Sequence, residues 1–393
     1  MRFIHFGCWN NINGNNLEEN MDSIQHFLQL PSSKRNPIEF FSIAGDNYYP
    51  EKEEKGKGKG EKSKKTIVED DLRNGFDLLP NNDKNKFVIL GNHDLETNMK
   101  FISSSGKETY DNSCKILELE KEITDGREDT FLNLFKFLFD KKTKTLIVFL
   151  DTTMYIENKD FEKYQTCYRK LPIPGRSKKT SNYQDTLIEF QNNAIIEYIS
   201  QRGTINKLVL IGHHPLIYLK KKLKNKEETI KAKQDIPHIM GLLSRIFEIC
   251  PTSDFFYLCA DLHLYQEGEV TFKDKVIKQY IVGTGGTKLD DEIPEDYNDT
   301  DHKKDDMSYK HIQSIHDHGF LECNFPTKAL PTFIFHSKSF STPPSRKPRS
   351  VPRSLSPSKK NVTSISSNRS VSPSKGGKHN KTQKTYTRRN KKN

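Results

Sequence analysis

Hydrophobic positions along the chain fall into short runs rather than long stripes. β-Branched and aromatic residues cluster in Arg2–Phe6, Ile38–Ile43, Phe87–Leu90, Thr145–Leu150, Lys207–Ile211, Phe255–Cys259 and Lys278–Val282. Each run is four to six residues long and most close on a turn containing Gly or Asp, the pattern of buried strands. Apolar residues at helical spacing lie between several of them, in Glu18–Leu30, in Thr130–Phe139 and most clearly in Gln184–Ser200. In that last segment Leu187, Phe190, Ala194, Ile195 and Tyr198 share a face. Gly319–Phe325 followed by Thr332–Phe335 reads as a β-hairpin. Strands alternating with helices predict a layered α/β body, and in open sheets ligand sites collect at the carboxyl ends of the strands.

Three polar stretches interrupt this pattern. Glu51 to Lys65 mixes Lys, Glu and Gly and is expected to be a solvated loop, and Lys220 to Lys233 is a charged excursion expected to form a surface helix. Residues 337–393 are rich in Ser, Pro, Lys and Arg and have too few apolar side chains to offset the entropy of ordering. The expected division is therefore a folded domain over 1–336 and a disordered basic tail over 337–393. The tail repeats Arg353-Ser354-Leu355-Ser356-Pro357-Ser358-Lys359 as Arg369-Ser370-Val371-Ser372-Pro373-Ser374-Lys375, which makes Ser356 and Ser372 candidate phosphorylation sites.

Charge sharpens that division. The whole chain carries a net +11, yet residues 338–393 hold 16 basic and no acidic side chains, and the first 337 residues carry a net −5. Contact with nucleic acid phosphates through the tail would be salt-dependent and nearly blind to sequence. No apolar run approaches the roughly eighteen residues of a membrane-spanning helix, and the first residues read as a strand rather than a signal peptide. A cytoplasmic, intracellular protein without membrane contact is expected. The six cysteines (Cys8, Cys114, Cys167, Cys250, Cys259, Cys323) are scattered without a Cys-x-x-Cys pair. That scatter argues against a zinc ribbon or a disulfide framework and fits a reducing compartment.

The candidate chemistry lies just after the strands. Gly7-Cys8-Trp9-Asn10 follows the first, Gly45-Asp46-Asn47-Tyr48-Tyr49 the second and Gly91-Asn92-His93-Asp94 the third. Gly212-His213-His214-Pro215 and Ala260-Asp261-Leu262-His263 come later. One histidine after a strand is more often structural than functional. Oxygen and imidazole donors gathered from five strand ends suit a pair of metal ions bridged by one carboxylate.

The order Gly-Asp-x-x-Tyr, Gly-Asn-His-Asp, Gly-His-x-Pro and a final His resembles the calcineurin-like metallophosphoesterases, and among them the purple acid phosphatase branch. Tyr49, three residues after Asp46, and Trp9 carry the resemblance to that branch, which spans about residues 1–336. It implies a four-layer α/β/β/α sandwich with two mixed sheets and a dinuclear centre of Fe, Zn or Mn. By this resemblance Asp46 bridges the metals. Tyr49, His263 and position 8 complete the first, and Asn92, His213 and position 261 hold the second. His93 faces the phosphate and His214 lines the substrate side, while a metal-bound hydroxide attacks phosphorus. Asp94 is expected to orient its neighbours, Asp151 to form a turn and Gly283–Gly286 to close the sheet.

Two positions depart from the family: Cys8 stands where it has Asp, and Asp261 where it has His. A thiolate would favour zinc or iron over magnesium or manganese, whereas the rival reading of Cys8 is a small buried filler. Asn10 is a further candidate ligand. The expected function is hydrolysis of phosphate monoesters, with diesters as an extension. The alternatives are a catalytically degenerate fold that binds a partner and a phosphodiesterase directed at nucleic acid. The sequence does not specify oligomeric state.

Overall fold

The computed structural model describes residues 1–11, 16–52, 65–80, 85–97, 99–111, 114–124, 134–171, 183–224, 227–294, 297, 301–304 and 306–338. Of the expected tail only Ser337, which ends the strand Thr332–Ser337 instead of opening a disordered segment, and Lys338 are among them; the rest, with Ser356 and Ser372, lies outside. The described residues all belong to the compact unit Met1–Pro344.

Two sheets form the centre. The first runs in the order Thr332–Ser337, Gly319–Asn324, Arg2–Phe6, Phe40–Ala44, Asn85–Ile89, and its last three strands are parallel. The second has eight strands, and at its middle Thr145–Leu150, Lys207–Ile211, Asp254–Cys259 and Lys275–Val282 are parallel. The side chains of the first three are buried on both faces, Asp254 excepted, which is why these strands read as continuous apolar runs.

Aromatic rings fill the space between the sheets. Phe149 meets Phe87 at 5.1 Å, Phe256 meets Phe325 at 5.7 Å and Tyr280 stacks on Phe333 at 4.3 Å. A ring as buried as that of Phe149 contributes on the order of 2–3 kcal/mol of hydrophobic stabilisation. Helices cover the outer faces. Phe27 of the helix Asn16–Gln29 packs on Phe320, while Tyr198 of the helix Tyr183–Ser200 stacks on Phe137 and Phe247 of the helix Met240–Ile249 meets Phe255. The result is the expected four-layer helix/sheet/sheet/helix sandwich, closed by the hairpin expected near Gly319.

Three expectations are corrected. Phe135–Asp140, expected as the end of a helix, is an edge strand antiparallel to Thr145–Leu150. The alternation of Phe135, Phe137 and Phe139 decides it, because a period of two puts rings on one face, where Phe135 and Phe137 meet the helix Tyr183–Ser200. Residues 130–133 of that expected helix lie outside the described residues. The Lys220–Lys233 excursion is no helix but an antiparallel hairpin of Tyr218–Lys224 with Glu227–Lys233. Gln266 anchors its base by accepting the N–H of Leu219 and donating to its carbonyl. The third correction is a disulfide between Cys114 and Cys167, whose Cα atoms lie 5.4 Å apart.

Two further stretches add strands. Glu51–Lys52 pairs with Lys65–Val68 in a four-stranded side sheet, and residues 53–64 of the expected loop are outside the described residues. Asp301–Lys304, in an acidic stretch, extends the large sheet. No described helix is long and apolar enough to cross a membrane.

Candidate metal centre

Cys8, Asp46 and Asp261 share one backbone conformation. Their φ angles are 52°, 51° and 56°, in the left-handed region that residues with a Cβ adopt at a cost of roughly 1–2 kcal/mol. Two strands of the first sheet and one of the second therefore end in the same strained turn and aim three side chains into one space. Strain of this kind persists where surrounding structure enforces it.

Glycine lets the strand ends approach. A Cβ on Gly91 would sit 2.3 Å from both the backbone nitrogen and Oδ1 of Asp46. Gly45, at φ 76°, would bring one within 2.8 Å of His213 Nδ1. In the same way Gly285 makes room for Trp9, whose indole N–H donates to Asn47 Oδ1 at 3.1 Å. The glycine turn after Lys275–Val282 thus closes the sheet against the first motif, as expected.

His213 is fully buried, and its Nδ1 lies 2.6 Å from the Ala44 carbonyl, which can only accept, so Nδ1 carries a proton. Its Nε2 faces three oxygens: Asn92 Oδ1 at 3.1 Å, Asp46 Oδ1 at 3.3 Å and Asp261 Oδ1 at 3.5 Å. In the neutral ring a lone pair would meet three acceptors. Only a cation at that point, a proton or a metal ion, reconciles them. Burial opposes a proton there, yet Asp46 and Asp261 raise the imidazole well above its ordinary value. Spacings just above 3 Å also match donor atoms arranged about one tetrahedral ion with bonds of about 2.0–2.2 Å.

The neighbouring group has the same deficit. Tyr49 donates its single hydroxyl proton to Asp46 Oδ2 at 2.9 Å, and its oxygen lies 3.1 Å from His263 Nε2. His263 Nδ1 is committed to the Lys288 carbonyl at 3.0 Å, so Nε2 holds a lone pair against the phenol oxygen. The Cys8 sulfur joins Asp46 and His213 in a set whose donor atoms all lie within 4.8 Å of one another. Burial, then the charge of Asp46, push its thiol well above its ordinary value. The donors fit two cations sharing Asp46, whose carboxyl is held far below the usual range by His213 and His93 against the opposing effect of burial.

The remaining expected residues surround this core. His93 donates its backbone N–H to Asp46 Oδ1 at 3.0 Å, and its ring stands on the wall of a cleft of about 590 Å³. Tyr49, His263, Lys65, Lys288 and Asp290 also line that cleft. His214 is buried and is not on the wall. Its Nδ1 lies 3.0 Å from Thr152 Oγ1, which also accepts the N–H groups of His213 and His214, so the threonine hydroxyl donates to Nδ1. Burial depresses the His214 ring to about 4 and keeps it neutral. Asn10 turns away: its amide donates to Leu72 O and its side chain fills the space a Cβ on Gly75 would need. Asp151 caps a turn by accepting the N–H of Thr153 and binds Tyr168 OH, and burial raises it to about 7.

Sequence reasoning missed three contributors. Glu96 Oε1 lies 3.1 Å from His93 Nδ1 and is held in turn by Lys65. Thr152 supports both histidines, and Asp290 accepts the backbone N–H of His263 at 3.0 Å. Glu96 follows His93 by three residues, which the turn of 3₁₀ helix at His93–Leu95 converts into contact. For Thr152 and Asp290 the sequence holds no signal.

Residues 1–239 match the family model of calcineurin-like phosphoesterases. No curated protein matches the chain. Among solved structures it is similar to a purple acid phosphatase, PPD1, from yellow lupin seeds, at 13% identity and a TM-score of 0.50 over 87% of this chain and 52% of that one. This chain thus spans about half the length of the lupin protein. It is also similar to GAP50, the anchor in the inner membrane complex of Plasmodium, at 11% identity and a TM-score of 0.45 over 87% and 86% of the two chains. A 5'-nucleotidase from Candida albicans shows 11% identity and a TM-score of 0.37 over 71% and 44%. With the family model covering more than half of its length, this chain belongs to the calcineurin-like phosphoesterases.

Proposed function

We propose that the protein is a dinuclear metal-dependent phosphoesterase that hydrolyses phosphate monoesters, with diesters within its reach. The observation that carries the reading is the convergence of Asp46, Asn92 and Asp261 on Nε2 of His213. Cys8, Asp46, Tyr49 and His263 would hold one ion, and Asp46, Asn92, His213 and Asp261 the other. When bound, the ions supply Lewis acidity toward phosphoryl oxygens and lower the pKa of water.

The chain's own residues do the rest. His93 reaches the cleft and can hold a proton for the departing oxygen. Burial would depress its ring, but Asp46 and Glu96 outweigh burial and hold it above its ordinary value. Glu96 Oε1 stands 3.1 Å from Nδ1 as an ion-pair partner, and Nε2 lies 3.9 Å from Asp46 Oδ2. His214, neutral and fixed by Thr152, supports the wall behind His213 rather than the substrate.

One observation favours a second reading, a partner-binding protein without catalysis. The Cys8 thiol is buried beside Asp46, and as a protonated filler it would leave the first ion one ligand short. Turnover of an aryl phosphate, with the protein loaded in turn with manganese, ferrous iron and zinc, separates the two. Activity that vanishes in His213→Ala is expected. No turnover with any metal would sink the enzyme reading.

A further inference from the structure

The basic hairpin touches the cleft wall at one point, through an ion pair with Asp290. Tyr218 follows His214 by four residues, so one short segment joins the metal-binding turn to the hairpin. Lys220 Nζ lies 2.9 Å from Asp290 Oδ1, and the other oxygen of Asp290 accepts the N–H of His263. Over residues 218–233 the hairpin carries seven lysines and two glutamates.

Register sorts these charges. Residues directly opposite in an antiparallel ladder share a face, and here Tyr218 opposes Lys233 and Lys220 opposes Lys231. The alternate positions, Leu219 with Ala232 and Lys221 with Ile230, make up the other face. Like charges directly opposite destabilise a sheet. The Lys220–Lys231 pair is therefore a feature that folding alone disfavours. Its facing acids are Asp290, paired with Lys220, and Asp235, which accepts the Tyr218 hydroxyl at 2.6 Å. Lys231 itself is exposed. Lys288, two residues before Asp290, lines the same cleft.

We propose that this hairpin is a phosphate-binding arm that selects phosphoesters bearing further phosphate groups on the leaving group. The proposal rests on the phosphoesterase reading of the cleft. A phosphoester whose leaving group extends from the metal centre past Asp290 would bring additional phosphates to Lys220 and Lys231, which share one face of the hairpin. Charge-assisted contacts to phosphate are the strong class of hydrogen bond, and one good contact corresponds to about tenfold in affinity. A small polyphosphorylated molecule and the end of a nucleic acid strand present the same chemistry.

The test uses the full chain with Lys231→Gln and Lys231→Glu, exposed substitutions that spare the metal centre. Tripolyphosphate, inorganic phosphate, a short oligonucleotide with a terminal phosphate and polyglutamate are titrated by calorimetry, and each is tried as an inhibitor of aryl phosphate turnover. The tail is common to all variants and cancels in the comparison. Tripolyphosphate is expected to bind roughly tenfold more tightly than phosphate, with the advantage reduced several-fold by Gln and further by Glu. Displacement by the oligonucleotide would assign a polymeric source, and its failure to displace a small one. Preference retained without turnover would uphold the arm and remove the enzyme reading. Turnover with a preference unmoved by both variants, or polyglutamate binding as well as tripolyphosphate, would overturn the arm.

Discussion

Asp94 grips Asn47 at two points, accepting its backbone N–H on Oδ1 at 2.8 Å and its side-chain amide on Oδ2 at 2.9 Å. The same Oδ2 accepts the N–H of Gly91 at 2.7 Å. One buried carboxylate thus ties the turn that carries Asp46 to the turn that carries Asn92. Behind it, Glu120 is raised well above its ordinary value by burial and by Asp94.

Asp94→Ala leaves three buried N–H groups without their acceptor, at about 1–3 kcal/mol each if none finds another partner. Partial relaxation makes a loss of about 3 kcal/mol the expected result in urea unfolding. Asp94→Asn, which keeps an acceptor oxygen, should recover part of it. Equal stability of the Ala variant and the wild type would show that the Asp94 contacts contribute nothing net.

Gly91→Ala addresses approach rather than hydrogen bonding. The added methyl would collide with backbone as well as side chain of Asp46, so the two turns must separate. Overpacking of this kind costs about 1–3 kcal/mol in stability. The larger expected effect is on manganese or zinc binding, measured by calorimetry, because Asp46 is the shared ligand in the proposed centre. Unchanged metal affinity would contradict the bridging role.

The motifs that build this centre were legible because each follows a strand as a short, ordered group of polar residues. Parallel strands bring such groups together whatever the length of chain between them. Thr152 and Asp290 were not legible, since their contacts arise from strand ends and loops that meet only after folding. Phe135–Asp140 was misread because Phe135, Leu138 and Phe139 also satisfy a helical period. The charged hairpin was misread because a lysine run has no apolar alternation strong enough to announce a strand.

His5 gives the fold a pH dependence of known sign. It is buried between the sheets, with Nδ1 3.0 Å from Ser42 Oγ and Nε2 3.2 Å from the Cys259 carbonyl. Burial, partly offset by that carbonyl, lowers its pKa from 6.5 to about 4. Below 6.5 the unfolded chain takes up a proton that the folded chain refuses. Its contribution is therefore complete above pH 6.5 and is lost as pH falls toward 4, by up to about 3 kcal/mol. In urea unfolding between those limits, His5→Asn should flatten the slope. A slope identical to that of the wild type would remove His5 as its source.

Cys8→Asp restores the carboxylate found in the family at the first turn. If sulfur ligates the first ion, the substitution should shift preference from zinc toward manganese, by roughly tenfold or more in the ratio of affinities. Cobalt substitution gives an independent readout, a sulfur-to-metal charge-transfer band present in the wild type and absent in the variant. A wild-type cobalt spectrum without that band would make Cys8 a filler.

The Cys114–Cys167 disulfide joins two elements that flank the centre. Cys114 precedes the helix Lys115–Ile123, which carries Glu120, and Cys167 lies one residue before Tyr168, which holds Asp151. The bond closes a loop across a sequence separation of 53, for which chain entropy gives about 4 kcal/mol of stabilisation. Both residues are buried, so the reductant must wait for the structure to open. Cys114→Ser with Cys167→Ser is expected to lose most of that stability, and the wild type should match it only after reduction under denaturing conditions. Mass spectrometry of a non-reduced digest checks the linkage directly. Free thiols at both positions would reinstate the expectation of a reducing compartment, and a linked peptide pair would place folding of the chain under oxidising conditions.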